Sequence, residues 1–402
     1  MYDVIVTGAR CAGSPLSMLL ARMGHRVLLV DRATFPSDTI STQMIWPTGV
    51  ACMKRWGLLD RLRATNAPPM YEIGFDPGPF QLKGTPPPAA DGTAEMYAPR
   101  RTVLDKLLID AAREAGVEVS EGFTVTGLTS SEGRVTGIRG HTRTGTEIAE
   151  QARIVVGADG RHSFVAATAG AEEYNVRPVK TCVYYSYWRN VPPHLVTIRA
   201  RPLRLLATSP TNDGLTIAFA VFPIDEFETV KSDVDRHFMD AVAQVPELAE
   251  LLAAGERVDR YFGTGDIENF FRKPYGDGWA LAGDAGYHKD PCTAQGISDS
   301  FRSVEWLAEA IHAGLSGARP PAEALADYQR TRDEHFLPMY EFTYGLAHLG
   351  PPPPAIQALH EALRYNQAET DRFFGTIAGT VPIPEFYAPE NVSRIVQQRA
   401  GS

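Results

Sequence analysis

The stretch YDVIVTGARCAGSPLSMLLARMGHRVLLVDR, Tyr2 to Arg32, leaves this chain few ways to fold. Val4, Ile5 and Val6 form the short apolar run required of a parallel strand buried on both faces. Gly8, Arg10 and Gly13 then hold the three glycine positions of a G-x-G-x-x-G turn, with arginine in the middle place and Ala12 beside the last. Pro15 to Met23 reads as a helix that stops at Gly24, and Val27 to Val30 as a second strand ending in Asp31. Such a turn aims backbone N–H groups and a helix N-terminus at a pyrophosphate. An acid roughly twenty residues later, at the end of the second strand, meets ribose hydroxyls. Strand, turn, helix, strand and acid in this order predict a nucleotide site at the edge of an α/β domain.

A chain of 402 residues exceeds one ordinary core, so two domains and a tail are expected. The formal charge of −9, with no basic stripe to offset it, argues against a nucleic-acid surface. Cys11, Cys52, Cys182 and Cys292 lie far apart, without metal-ligand spacing, and read as reduced thiols. No apolar run approaches the roughly 20 residues of a membrane span. A strand begins at once, leaving no room for a signal peptide, so the expected compartment is the cytoplasm.

Ala33 to Ile45 has no period and reads as a loop close to whatever the first turn binds. Pro47 opens a helix through Arg55, and Pro68 to Ala98, rich in Pro and Gly, reads as an excursion from the first domain. Helical periodicity returns over Thr102 to Ala115, and Glu132-Gly133 joins a hairpin. Arg153 to Val156 is another buried-type strand, followed by Gly157-Ala158-Asp159-Gly160. Val179 to Trp188 and Leu215 to Phe222 predict a separate antiparallel sheet, with helices after it over Val230–Ala243 and Pro246–Ala254. Trp279 to Ala282 is a short strand ending in Gly283-Asp284, and helices follow over Gly296–Ala313 and Pro321–Tyr344. The expected organisation is a discontinuous first domain (residues 1–69, 98–175 and 265–345), a second domain (70–97 and 176–264), and a C-terminal helix with an extended tail (346–402).

Three glycine-and-acid elements in this order, from Gly8 through Asp159-Gly160 to Gly283-Asp284, resemble the single-component flavoprotein monooxygenases of the para-hydroxybenzoate hydroxylase type. That superfamily also holds geranylgeranyl reductases and flavin-dependent halogenases. The resemblance covers about Tyr2 to Tyr344 and implies an α/β fold: a discontinuous Rossmann-like FAD-binding domain with an inserted antiparallel β-sheet substrate domain and a C-terminal helical tail. It further implies that the first element binds the ADP half of FAD. Asp159 would meet the pyrophosphate region and Asp284 the ribityl chain, with Pro291 to Ile297 beside the flavin ring. The amides of Gly296 and Ile297 would face the pyrimidine edge, where reduced flavin carries negative charge. Arg101 matches a position that reaches FAD, Val125 one whose backbone meets adenine, and Arg32 would cover the adenosine. Arg10 departs from the pattern. Either its guanidinium grips the diphosphate, or it points outward into solvent.

In that superfamily NAD(P)H reduces FAD, oxygen adds to the flavin, and the resulting hydroperoxide delivers one oxygen atom to an apolar or aromatic small molecule. The cofactor supplies the hard chemistry, so few catalytic side chains are legible. Gly263-Thr264-Gly265 lacks the strand and helix of a second dinucleotide loop, in keeping with an NAD(P)H that only visits. His288 is the candidate proton-transfer group, or else a structural loop histidine. Tyr185, Tyr187 and Phe219 are candidate substrate contacts on strands, or plain sheet packing. The halogenase W-x-W-x-I-P motif is absent, and Tyr185-Ser186-Tyr187-Trp188 only loosely echoes the reductase Y-x-W-x-F-P type. A reductase or dehydrogenase of the geranylgeranyl reductase type is therefore the alternative, and a flavin-binding sensor without turnover a weaker one.

Overall fold

Strand Tyr2–Thr7 lies at the centre of the first sheet, parallel to Val27–Asp31 on one side and to Glu147–Gly157 on the other. Trp279–Leu281 extends the sheet beyond Glu147–Gly157, and Glu118–Glu121 extends it beyond Val27–Asp31. Parallel pairing puts the carboxyl ends of these strands along one edge. The turns that follow them, from three distant parts of the chain, therefore open side by side, as at the switch point of other open α/β sheets. This computed structural model describes residues 1–191 and 195–400.

Both faces of the central strand are covered. Val4 and Val6 pack with Leu16, Leu104, Phe301 and Val304, which come from helices Gly13–Arg22, Arg101–Glu114 and Gly296–Leu315. Ile5 and Val155 pack instead with Phe123 and Ile138 of the hairpin Phe123–Ser131 and Arg134–Thr142. Alternate side chains thus enter two separate cores, which is why the run is apolar throughout.

The second sheet is antiparallel about Thr181–Arg189 and Thr216–Pro223, continuing through Arg204–Pro210 to Val196–Arg201. Val196–Arg201 pairs in parallel with Ile73–Asp76, so the Pro- and Gly-rich excursion adds two short strands, the other being Leu82–Gly84, to this same sheet. Its outer face, with Tyr184, Trp188 and Phe222, packs on helices Val234–Val242 and Pro246–Ala254. Its inner face carries Val183, Tyr185, Tyr187, Phe219 and Val221.

Two expectations need correction. The helix expected over Val230–Ala243 is two helices, Phe227–Ser232 and Val234–Val242, because Asp233 takes a non-helical conformation and its carboxylate caps the second, accepting from the Arg236 N–H at 3.2 Å. The expected extended tail is helical: Pro354–Leu363, Gln367–Ala378, Ile383–Phe386 and Pro389–Ala400. Prolines stand in first turns of two of these helices, where the missing N–H has no partner to lose. Phe373, Phe374 and Phe386 of these helices are buried in one core with Ile73, Leu82 and Trp46. Among the described residues no helix is long and apolar enough to cross a membrane.

Candidate active site

A cavity of about 870 Å³ follows the carboxyl edge of the first sheet and reaches the inner face of the second. Gly8, Arg10, Ala12, Asp31, Arg32, Arg101, Val125 and Asp159 line it, together with Gly283, Asp284, His288, Pro291, Gly296, Ile297, Tyr185 and Phe219. Gly13 and Tyr187 do not. The volume is in the range of cofactor sites, roughly 300–1,000 Å³.

The first turn is built for close approach. Gly8 has φ +98°, and a Cβ there would lie 2.3 Å from the Ala158 carbonyl oxygen. A Cβ on Gly13 would fall 1.7 Å from the Gly8 carbonyl oxygen, so Gly13 serves the packing of the turn rather than the cavity wall. No side chain caps the helix that begins there. The Asp31 carboxylate accepts from the amides of Ala9 and Ala33, both at 2.7 Å, and each oxygen keeps a lone pair for a ribose hydroxyl. Asp284 and Arg32 line the cavity without a hydrogen bond or ion pair to any described residue. Unpartnered charge of both signs beside a glycine cradle fits a group that carries hydroxyls and phosphates.

Arg10 is not turned outward into solvent. Its guanidinium turns along the cavity wall to Asp105, with Nη1 2.5 Å from Oδ2. It also donates to the Ser37 carbonyl (3.3 Å), the Ser37 hydroxyl (3.0 Å) and the Asp38 carbonyl (3.3 Å). Asp105 is fully buried and is shared with Arg101, whose Nε and Nη2 reach it at 3.1 and 2.9 Å, and with the Cys11 thiol at 3.4 Å. The side chain that replaces the middle glycine thus fastens the loop after the second strand to helix Arg101–Glu114. Asp38, Thr39 and Thr42 of that loop border the cavity.

Asp159 borders the cavity, but its carboxylate is turned to helix Phe164–Ala169, accepting from Ser163 Oγ at 2.5 Å and the Phe164 amide at 2.8 Å. Burial pushes this carboxyl above its ordinary pKa. Loop 288–295 is fixed from several sides. Asp290 accepts from Thr181 Oγ1 at 2.5 Å, and its amide donates to Asn269 at 2.7 Å. Trp46 Nε1 donates to the Thr293 carbonyl at 3.1 Å, and Gln295 donates to the Ile377 carbonyl. His288 Nδ1 meets the Glu268 carbonyl, which only accepts. Nδ1 therefore carries the proton, and in the neutral ring Nε2 is the free acceptor. The Cys292 thiol is pushed well above its ordinary pKa by burial and is no thiolate.

Sequence reasoning missed a buried ion pair in the cavity wall between Lys289 and Asp299. Lys289 also lies 4.8 Å from the Tyr287 ring centroid, and the buried Tyr287 hydroxyl has no hydrogen-bond partner. Asp299 stands in the first turn of helix Gly296–Leu315, and nothing in its spacing from a loop lysine signals the pairing. On the sheet wall, Tyr185 lies directly opposite Phe219, and both border the cavity. Tyr187 shares their face, but its hydroxyl accepts from Gln43 Nε2 and Arg100 covers its ring at 4.5 Å, so it braces the wall. Among the described residues no cluster of three or more His, Cys, Asp or Glu is placed to hold a metal.

The model of the FAD binding domain family matches residues 1–343. Among curated proteins the chain is 23% identical over 351 residues to a tryptophan 2-halogenase from Chondromyces crocatus, covering 83% of this chain and 65%, just under two thirds, of that protein. It is 25% identical over 354 residues to digeranylgeranylglycerophospholipid reductase 2 of Methanopyrus kandleri, covering 85% of this chain and 84% of that one. Among solved structures, PqsL, a probable FAD-dependent monooxygenase from Pseudomonas aeruginosa, has the same fold, with a TM-score of 0.72 at 21% identity over 93% of this chain and 98% of its own. A glycine cradle, a strand-end acid and an unpartnered Asp284 on one edge, within a match that spans most of the chain, lead to one assignment: the protein belongs to the FAD binding domain family of flavin-dependent oxidoreductases.

Proposed function

We propose that the protein is an NAD(P)H-dependent FAD monooxygenase that hydroxylates or epoxidises an apolar or aromatic small molecule. The observation that carries this reading is the cavity, continuous from the nucleotide cradle at Gly8 and Asp31 to the aromatic wall of Tyr185 and Phe219. When bound, FAD supplies the electron transfer and the activation of molecular oxygen.

The residues of this chain would hold and orient it. Asp31 would take the ribose, Asp284 the ribityl hydroxyls, and the amides of Gly296 and Ile297 the pyrimidine edge, where a helix N-terminus favours negative charge. Arg32 and the backbone at Val125 would meet the adenosine. His288 Nε2, opposite the nitrogen fixed by Glu268, would accept or return a proton. The buried aromatic wall would exclude water from the reacting face.

Gly263 and Thr264 lie in strand Phe262–Thr264, paired with Thr181–Arg189, so the second glycine pair serves sheet structure. This is in keeping with NAD(P)H docking transiently on the FAD domain. A reductase is the second reading, favoured by the similarity to the Methanopyrus reductase along most of both chains. Oxygen uptake measured with NAD(P)H consumption and product mass separates the two. Gain of one oxygen atom is expected; gain or loss of two hydrogens without oxygen uptake would establish the alternative.

A further inference from the structure

Beside the aromatic wall the main cavity adjoins a second, narrow space of about 60 Å³. Thr42, Val183, Phe219, Pro291 and Ala294 border both, so the two adjoin beside the loop assigned to the flavin ring. The annex is walled by the inner face of the second sheet and by Met44 and Trp46, and no charged side chain lines it. Apart from Thr42, which borders both spaces, the hydroxyls there are already engaged. The Thr208 hydroxyl accepts from Arg199 (3.1 Å), the Ser209 hydroxyl meets Met70 Sδ (3.5 Å), and Thr293 pairs with Thr343 (2.7 Å). Arg199 itself belongs to the outer side, where Glu247 of helix Pro246–Ala254 lies 3.8 Å away. A carboxylate in this annex would be stripped of water with nothing to replace it.

Tyr185, 1% exposed, borders the main cavity next to Val183 and Phe219, which line both spaces. The Ser41 amide lies near its oxygen, yet its hydroxyl proton has no acceptor among the described residues. A buried donor without a partner is rare in a finished fold, and the Tyr185 side chain borders the cavity beside Val183 and opposite Phe219. We propose that the substrate inserts a short, apolar and uncharged end into the annex and offers an oxygen acceptor to the Tyr185 hydroxyl. This rests on the flavin-enzyme reading above and makes Tyr185 the residue that selects among apolar compounds.

Equilibrium dialysis of the FAD-loaded protein against three matched probes tests it: 4-ethylacetophenone, 4-acetylbenzoate (whose carboxylate takes the place of the ethyl end) and 1,4-diethylbenzene. The ketone is expected to bind roughly tenfold more tightly than either of the others. Tyr185→Phe should bring the ketone down to the hydrocarbon and leave the hydrocarbon unchanged. Ala207→Leu, which fills the annex, should weaken both. The inference is overturned if the carboxylate matches the ketone, if the ketone gains nothing over the hydrocarbon, or if Tyr185→Phe leaves their ratio intact. Absorbance of the same samples reads FAD content. Protein that retains FAD but shows no such preference contradicts this inference alone, whereas protein without FAD contradicts the reading beneath it.

Discussion

Arg10 shows how one residue can leave a motif's pattern and keep its site. Its guanidinium joins Asp105 to Ser37 and Asp38, so the cavity-side loop is held by charge-assisted hydrogen bonds. Arg10→Met should therefore speed FAD release about fivefold, the factor expected for ~1 kcal/mol, while the fold persists because Arg101 still neutralises Asp105. Stopped-flow release of FAD measures this, and an unchanged rate would remove the latch. Asp284→Ala takes away a carboxylate that no described residue satisfies, and FAD affinity should fall roughly tenfold or more. Titration of the apoprotein with FAD checks that, and unchanged affinity would reject the ribityl role. Gly8, Asp31 and Asp284 were legible in the sequence because backbone approach and strand-end charge demand particular residue types at fixed spacing. The sharing of Asp105 by Arg10, Arg101 and Cys11 was not, since it joins a turn to a distant helix. The Lys289–Asp299 pair escaped for the same reason.

At the scale of elements, the C-terminal helices are part of the structure that holds the site. Helix Gln367–Ala378 receives Gln295 from loop 288–295 in the cavity wall, and its Phe373 and Phe374 share a core with Ile73 and Trp46. His360, in helix Pro354–Leu363, is buried between Phe75 and Phe373, at ring distances of 5.3 and 5.5 Å. Burial lowers its pKa to about 4 from the ordinary 6.5. Between these values the unfolded chain binds a proton that the folded chain refuses, so stability present above about pH 6.5 is lost as pH falls toward 4. The loss is on the order of 3 kcal/mol at most. His360→Leu should remove this part of the acid sensitivity, as judged by urea unfolding at pH 7.5 and 4.5 for both proteins. Equal losses in the two would show that His360 is not the sensor. These helices were not legible in the sequence because the core that holds them is shared with Ile73, Leu82 and Trp46, far away along the chain.

For the whole molecule, parallel pairing gathers three turns on one edge, and the antiparallel sheet faces them across the cavity. The order of motifs made the first sheet legible. The strand candidates Val179–Trp188 and Leu215–Phe222 announced the second, but which face meets the cavity depends on helices Val234–Val242 and Pro246–Ala254 covering the other. The annex was beyond reach, because it arises only where the loop after Asp284 meets that inner face. The central claim is that this edge holds FAD. It is tested most directly by titrating purified, FAD-stripped protein with FAD and following flavin fluorescence and absorbance to saturation. Binding that saturates at one FAD per chain and yields a yellow protein is predicted. A protein that stays colourless and leaves the flavin signal unchanged would contradict the account.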